Sequence, residues 1–467
     1  MALAAVLLGV VMTSLDNTVV NVALPSIAGD LRAGIAGTAW VVDAYLLSFA
    51  TLLLTGGRLA DTFGRRRIFL IGAVLFTGAS LLAALAFSLQ MLIAARALQG
   101  AGAALLTPPT LAIITHVFRD KRGLDMALGI WGSIGAIAFA VGPLVGGALT
   151  QALSWRWALL INVPSGGLAI VLARRFVPES RDPEADRRLD VRGLFLAGVA
   201  LFALTFALSR GHDYGWTSTA VVGPLLVAAA SAIGFVRVER RAPTPLIDPS
   251  LLRGRFAAAN IVTFAIGVAW FGAFLFTALF LQQARGASPV QAAIALLPWL
   301  LMILVVAPLT GVLVRYVPGR LVVVTGLVLL AIAFLQLSGT DETSSYLSMV
   351  PGMLLGGTGT ALTIPLNGIA LAAVAPAKAG VASGIFNTAR ETGGCVGVAL
   401  TSAVAGYSDA LLVAAILTLG AAVLTLIALR PERLESYAAQ AWPSEWSTEW
   451  EIASMKAPTI CVGEVMW

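Results

Sequence analysis

The sequence predicts an all-α polytopic membrane protein of fourteen spans, built as two related six-helix bundles with a pair of helices inserted between them. Composition is the first observation. The 467 residues are 58% hydrophobic and 12% charged, against about 25% charged in soluble proteins, and the mean hydropathy is +0.90. Such a chain is solvated by lipid, where backbone polar groups must be satisfied within helices or a closed barrel. The second is segment length. The apolar runs are continuous and about 20 residues long, the length of a membrane-crossing helix, without the alternation of barrel strands. The third is an internal repeat. A short basic loop, Gly56-Gly57-Arg58-Leu59-Ala60-Asp61-Thr62-Phe63-Gly64-Arg65-Arg66-Arg67, has a weaker copy at Gly311–Arg320, with Gly57, Leu59 and Arg66 aligned on Gly311, Leu313 and Arg320. Gly100, Gly102 and Pro108 match Gly357, Gly359 and Pro365, and Gly129 and Gly142 match Gly384 and Gly397. The common offset is roughly 255 residues, the signature of two related halves.

In chain order the expected spans are 2–24, 37–57, 67–88, 91–115, 124–149, 156–177, 190–209, 217–237, 256–281, 290–314, 319–338, 346–372, 380–405 and 409–429. The apolar start at Ala2 lacks a basic region ahead of it and runs on to Asp16 and Asn21, so it reads as a first span and not as a signal peptide. Loops after even-numbered spans carry the cations: Arg58 with Arg65, Arg66 and Arg67, then Arg119, Lys121 and Arg122, and so on to Arg315, Arg320 and Lys378. Loops after odd-numbered spans hold only Arg32, Arg156, Arg210 and Arg285. The positive-inside rule therefore expects both termini in the cytoplasm, on a multi-pass protein of the cell membrane. Residues 1–177 form the first bundle, 178–255 the inserted pair (spans 7 and 8) with its charged connectors, 256–430 the second bundle and 431–467 a cytoplasmic tail. That tail carries Trp442, Trp446, Trp450 and Trp467; either Trp446 and Trp450 share a helical face suited to the headgroup region, or the segment is a disordered or atypical terminus.

Ionisable residues inside spans are costly and normally face a cavity or a partner. In span 1, Thr13, Asp16, Asn17 and Asn21 recur every three or four residues and share one face. Asp16 on this stripe is suited to carrying a proton, or to serving as a structural hydrogen-bonded carboxylate. In span 2, Asp43 lies one turn from Trp40 and Leu47, placed either as a second proton site or as counter-charge to a cationic ligand beside an aromatic wall. Arg96 in span 4 continues into Gly100, whose face lets a neighbouring helix come close. In span 13, Asn387, Glu391 and Gly394 share a face, while Arg390 points about 100° away, so that the two charges need not pair. Span 5 is uncharged but dense in glycine: Gly129, Gly132, Gly135, Gly142, Gly146 and Gly147, with Pro143 inviting a bend. Gly142 and Gly146 form a G-x-x-x-G pair.

Other classes find no support. The cations fall in loops between spans, so no soluble basic face for nucleic acid is expected. Of the two cysteines, Cys395 falls within a span and Cys461 in the tail, so neither a disulfide framework nor a metal-ligand spacing follows. With His116 and His212 alone there is no triad or histidine metal site, and no Walker-type phosphate loop occurs, which speaks against an enzyme or an ATP-driven pump.

Together these motifs resemble the fourteen-span drug:proton antiporters of the major facilitator superfamily, over nearly the whole chain to about residue 430. Leu15-Asp16-Asn17-Thr18-Val19-Val20-Asn21-Val22-Ala23-Leu24-Pro25 is similar to the span-1 signature of that group. Gly57–Arg67 resembles the superfamily's motif in loop 2–3, Arg96–Gly102 its span-4 motif, and Gly142-Pro143-Leu144-Val145-Gly146-Gly147 the span-5 motif of antiporters. Trp155-Arg156-Trp157 with Ile161-Asn162-Val163-Pro164, and Leu281-Gln282-Gln283 with Gly286, fit as well. The resemblance implies the major facilitator fold and export of lipophilic, in part cationic, drugs or antibiotics by alternating access. It assigns Asp16 and Arg96 to proton coupling, and Asp43 and Glu391 match places where some relatives carry acidic groups for cationic drugs; as acids within spans, these two are also candidates for proton coupling. Trp40, Asn17, Asn21, Asn387 and Gln282 join Asp43 and Glu391 in the substrate cavity. Gly57, Asp61, Gly64, Arg65 and Arg66 become a latch between the halves, and Gly135, Gly142, Pro143, Gly146 and Gly147 the antiporter helix. The proton is the coupling ion, with no metal or other cofactor; the partners are a small-molecule substrate and the bilayer, and a monomer is expected. Arg315 stands where the second half would carry the acid of the latch, which makes that latch one-sided. A metabolite symporter on the same fold and a non-transporting receptor or scaffold are the alternatives.

Overall fold

The computed structural model describes residues 1–118, 121–181, 190–242, 253–314, 316–374, 379–403 and 406–429. The tail and its tryptophans, Arg119, Arg315, Lys378 and most of both connectors of the inserted pair lie outside these. Among the described residues every regular element is helical: α1 (Ala2–Asp30), α2 (Ile35–Phe63), α3 (Arg65–Ala84), α4 (Leu89–Val117), α5 (Lys121–Ala152), α6 (Trp155–Leu160), α7 (Asn162–Phe176), α8 (Val191–Tyr214), α9 (Thr219–Glu239), α10 (Gly254–Leu279), α11 (Pro289–Ala295), α12 (Leu297–Leu313), α13 (Gly319–Ser338), α14 (Tyr346–Leu362), α15 (Pro365–Ala372), α16 (Ala379–Ala403) and α17 (Tyr407–Ala428). Among the described residues, twelve helical stretches are long and apolar enough to cross a membrane, α6 with α7 and α14 with α15 each counting as one, and thirteen if α11 and α12, bent by 40° at their junction, form one span. The remaining long helix, α16, has 25 residues, about 37 Å at 1.5 Å per residue. It carries Arg390 and Glu391 because it packs between α10, α2 and α8, where protein replaces lipid.

The repeat in sequence is a repeat in packing. In the first half α2 and α3 both lie on α4, and α1 on α5; in the second, α12 and α13 lie on α14, and α10 on α16. The paired glycines explain why. A Cβ at Gly102 would stand 2.6 Å from the Phe76 nitrogen of α3, and one at Gly359, its counterpart, 2.6 Å from the Gly326 carbonyl of α13. Gly100 abuts the Tyr45 carbonyl of α2, and Gly357 the Trp299 carbonyl of α12. Each pair removes the side chain where backbones meet, the small-residue contact that drives helix association in lipid. The inserted pair packs on itself as α8–α9, and α8 lies across both α2 and α16.

Helix ends differ from the sequence expectation where glycine or proline seemed to end a span. Pro25, just past the expected end of span 1, lies within α1; Pro108 and Pro109 lie within α4, as they do within the expected fourth span, since a membrane helix tolerates the lost hydrogen bond when neighbours cover it. The stretch Gly56–Phe63, read as loop, is the end of α2; the chain turns only at Gly64, whose φ of 111° is a left-handed conformation suited to glycine. The sixth expected span is two helices divided at Ile161, and the twelfth is α14 plus α15. α10 ends in a π turn, Phe280–Ala284, which holds Gln282.

Candidate functional site

Asp16 and Arg96, 80 residues apart, are brought together at the middle of the first bundle. Both are essentially inaccessible, at 0% and 1% exposure. The Arg96 Nη1 donates to Asp16 Oδ2 at 2.5 Å and to Gln99 Oε1 at 2.7 Å, while its Nε donates to the Val41 carbonyl at 3.0 Å. The other Asp16 oxygen accepts from Gln99 Nε2 at 2.8 Å and from Asn162 Nδ2 at 2.9 Å. Gln99 also donates to Ser80 Oγ at 2.7 Å. The guanidinium lies over the Tyr45 ring, 4.4 Å from its centroid, a cation–π contact. This network ties α1, α2, α3, α4 and α7 together. A buried ion pair holds only when its remaining lone pairs and protons are satisfied, and here both oxygens of Asp16 are. Asp16 is therefore the member of an ion pair, not an isolated acid on a polar stripe.

Asp43 has the opposite environment. It is 0% exposed, and among the described residues neither carboxyl oxygen has a hydrogen-bond partner. The Ser209 hydroxyl of α8, itself unpartnered, faces it without closing a bond. One turn along α2, Trp40 meets Phe202 and Phe206 of α8 with ring centroids 5.6 and 6.3 Å apart, and Thr205 of α8 meets Cys395 of α16 at 3.3 Å. Phe202, Thr205, Phe206 and Ser209 recur at helical spacing, so one face of the inserted helix α8 closes the Asp43 site. A charged carboxylate here needs a proton or a cationic ligand.

Glu391 is 1% exposed on α16. It does pair with its neighbour: Arg390 donates to Glu391 Oε1 from Nη2 at 2.7 Å and from Nε at 3.2 Å. The flexible arginine reaches back around the helix, which the 100° offset of the two Cα positions did not suggest. Glu391 Oε2 remains unpartnered. Between the acids stands Tyr45, 0% exposed, its hydroxyl unpartnered and under the combined charges of Asp16, Arg96 and Glu391. Of the remaining polar candidates, Asn17 is half-buried, and Asn21 is 5% exposed with a free Oδ1. Asn387 donates to the Ser383 carbonyl at 2.9 Å. Gln282 spans the two bundles, donating to the Val22 carbonyl of α1 at 3.1 Å.

The glycines of α5 lie against α1. A Cβ at Gly146 would stand 2.5 Å from the Val19 carbonyl, and one at Gly135 3.2 Å from Val10 Cγ1; Gly142 abuts Thr18, which hydrogen-bonds the Phe139 carbonyl at 3.0 Å. Gly147 faces the other bundle: a Cβ there would stand 2.7 Å from the Pro289 carbonyl of α11. α5 runs unbroken through Pro143.

In the α2–α3 turn, Asp61 pairs with Arg65 at 3.0 Å, and Gly57 lies over Pro108. Glu179, beyond α7, accepts from the backbone N–H groups of Arg66 and Arg67 at 3.1 and 3.2 Å, capping α3 with an anion where the helix dipole favours one. Arg66 Nη1 donates to the Val177 carbonyl at 3.3 Å, and the Arg65 N–H to Ser180 at 2.8 Å. These contacts join the turn to the end of α7 and to the start of the connector to the inserted pair, and none of them reaches the second bundle.

Several site residues escaped sequence reasoning. Tyr45, Ser209 and Glu179 were never singled out, and Gln99 and Asn162 stood inside motifs without a role. Trp270 of α10 joins Phe139 of α5 across the bundles at 5.1 Å and stacks on Phe274 at 5.1 Å. The one available signal was a hydroxyl or amide inside an otherwise apolar span, as for Tyr45 and Asn162.

The family model described as Major Facilitator Superfamily matches residues 6–397 and, overlapping, 259–462. Multidrug resistance protein Stp of Mycobacterium tuberculosis is 37% identical over 399 residues, covering 85% of this chain and 74% of that one. The cephamycin export protein CmcT of Amycolatopsis lactamdurans is 38% identical over 430 residues, 88% of each. Puromycin resistance protein pur8 of Streptomyces alboniger is 38% identical over 408 residues, 86% of this chain and 81% of that one. Among solved structures, an auto-inhibited POT family peptide transporter superposes with a TM-score of 0.68 over 92% of this chain and 96% of that one; at 15% identity it speaks for the fold alone. This chain belongs to the Major Facilitator Superfamily.

Proposed function

We propose that this protein is a proton-coupled antiporter of the cytoplasmic membrane that exports lipophilic, in part cationic, small molecules by alternating access. The observation that carries this reading is Asp43, a fully buried carboxylate without a hydrogen-bond partner, set beside the aromatic wall of Trp40, Phe202 and Phe206. A group in that position accepts either a proton or the positive end of an apolar ligand, and the two exclude each other. That exclusion is what exchange requires. Relatives named for multidrug resistance, cephamycin export and puromycin resistance support the cargo class.

In this reading Asp43 is the exchanging acid, and Glu391, with one free oxygen, the second. Tyr45 connects Glu391 to the Asp16–Arg96 pair, which couples the charge state of the site to the packing of α1 against α4. Asn17, Asn21, Asn387 and Gln282 line the pathway between the bundles. The Gly57–Arg66 turn and α5 set which end is closed: Gly147 against α11 and Gln282 against α1 hold one end of the bundles together. The bundles 1–177 and 256–430 move against each other, with both termini in the cytoplasm by the distribution of arginines. No cofactor beyond the proton and no nucleic acid takes part, and one chain suffices. At a membrane potential of about 150 mV, one electrogenic proton contributes roughly 3.5 kcal/mol, enough for a cargo gradient of several hundred-fold.

Purified protein in proteoliposomes with an internal pH dye tests the reading. An imposed inward proton gradient should drive a fluorescent lipophilic cation out against the gradient, and adding that cation should release protons. Cargo moving in the same direction as protons would replace antiport with symport, and absence of flux would remove transport altogether.

A further inference from the structure

We propose that Trp270 of α10 is the innermost seal between the two bundles, and that its indole N–H keeps the seal weak enough to part. The inference rests on the alternating-access reading for what the parting does. Trp270 stands where the bundles meet: its ring centroid lies 5.1 Å from that of Phe139 on α5, the planes at 43°. On its own helix it stacks on Phe274 at 5.1 Å and meets the edge of Phe271 at 5.1 Å. Other contacts join the bundles toward the C-terminal ends of α1, α5 and α10. Gly147 lies against Pro289 of α11, Gln151 accepts from the Val290 N–H at 3.4 Å, and Gln282 donates to the Val22 carbonyl. Phe139 lies eight residues before Gly147 on α5, about 12 Å deeper at 1.5 Å per residue. Trp270 lies twelve residues before Gln282 on α10, roughly 18 Å deeper. The aromatic pair is the deepest of these contacts, near the middle of the Gly254–Ala284 span.

The indole N–H sets Trp270 apart. Trp131 donates to Thr110 and Trp155 to Asp30, whereas Trp270 is 7% exposed and its Nε1 has no hydrogen-bond partner. A donor buried without an acceptor costs about five- to 150-fold in an equilibrium constant. Here the cost lasts only while the seal is shut. Once α5 and α10 part, that wall faces the aqueous pathway, where water or cargo accepts the bond. Ring packing favours the closed arrangement and the stranded donor opposes it, so the contact sits near balance, as an element that alternates between two states requires. Trp299 supplies the contrast. Its N–H is stranded too, at 1% exposure, but it packs on Gly356 and Gly357 of α14 and Phe334 of α13, all within one bundle. Its cost is the same whichever end is open.

The test is electron–electron double resonance on the full-length protein in nanodiscs, carrying Cys395→Ala and Cys461→Ser. Spin labels go at Phe87 and Leu347, which are 83% and 74% exposed at the α3–α4 and α13–α14 turns, one on each bundle. Replacing Trp270 by benzothienylalanine keeps the fused rings and removes the N–H. The open-to-closed ratio at that end should then fall at least fivefold, read in the wild-type chain and in Gly147→Ala, where the open population is larger. Trp270→Ala and Phe139→Leu remove the ring contact from opposite walls, and each should raise the ratio at least fivefold. The double variant should do little more than the stronger single, because both break one contact; Phe139→Leu carries the test where Trp270→Ala melts early. Benzothienylalanine at Trp299 should raise the Tm and move the ratio less than twofold. A ratio unmoved by benzothienylalanine at Trp270, or by loss of either ring, would overturn the proposal. So would an equal fall on replacing Trp299. The expected pattern without proton-driven efflux would remove the export reading and keep the seal, and efflux with a ratio indifferent to Trp270 would do the reverse.

Discussion

The two buried aspartates of the first bundle should respond oppositely to the same substitution. In Asp16→Asn the Arg96 guanidinium, 1% exposed, keeps the Gln99 and Val41 oxygens and the Tyr45 ring but loses its counter-charge at 2.5 Å. Breaking a buried pair from one side costs about 3–5 kcal/mol, or two to nearly four orders of magnitude in the unfolding equilibrium. Asp43→Asn removes a carboxylate that no partner balances, so its cost should lie below about 1 kcal/mol or be a gain. In the double variant Asp16→Asn/Arg96→Gln, the stranded charge is gone, and most of the loss should be recovered. The assay is reversible unfolding in mixed micelles followed by tryptophan fluorescence, analysed as a double-mutant cycle. Equal destabilisation by the two asparagine substitutions, or a double variant as weak as the sum of the singles, would refute the assignment of Asp16 as paired and Asp43 as free.

Other consequences follow from the same geometry. Asp43→Asn, though stably folded, should lower substrate-induced proton release in proteoliposomes more than tenfold, while Asp341→Asn in the exposed turn between α13 and α14 leaves it unchanged. Gly146→Leu drives a side chain into the Val19 carbonyl of α1; overpacking of this kind costs about 1–3 kcal/mol or more and should show as early thermal unfolding. Gly147→Ala strikes α11 of the other bundle instead, 2.7 Å from the Pro289 carbonyl, so stability should change little while a cysteine placed at Gln283 reacts several-fold faster with a water-soluble maleimide. Gly64→Ala combines a φ of 111° with a Cβ 2.7 Å from the Glu179 carboxyl, and a loss of about 1–3 kcal/mol is expected in the unfolding assay.

What the sequence determined by itself was the class and the connectivity. Apolar runs of spanning length have only one solution in lipid, a helix, because every backbone group must be satisfied within the segment. The repeated glycines marked where backbones touch, so the equivalence of α2–α3–α4 with α12–α13–α14 was legible before any coordinate. Asp16, Asp43, Arg96 and Glu391 were legible too, since a charge in a span is costly enough to be informative wherever it occurs. Their environments were not. Periodicity gives a residue's face on its own helix but not what the facing helix presents, so Asp16 and Asp43 looked alike in sequence, while one is saturated with donors and the other faces the Ser209 hydroxyl without a closed hydrogen bond. The Arg390–Glu391 pair was missed because side-chain reach exceeds the arc between adjacent helical positions. The place of α8 across the seam of α2 and α16, which brings Ser209, Phe202 and Phe206 to Asp43, was decided only by tertiary packing, because an inserted apolar pair is as compatible in sequence with any lipid-facing position around the bundles.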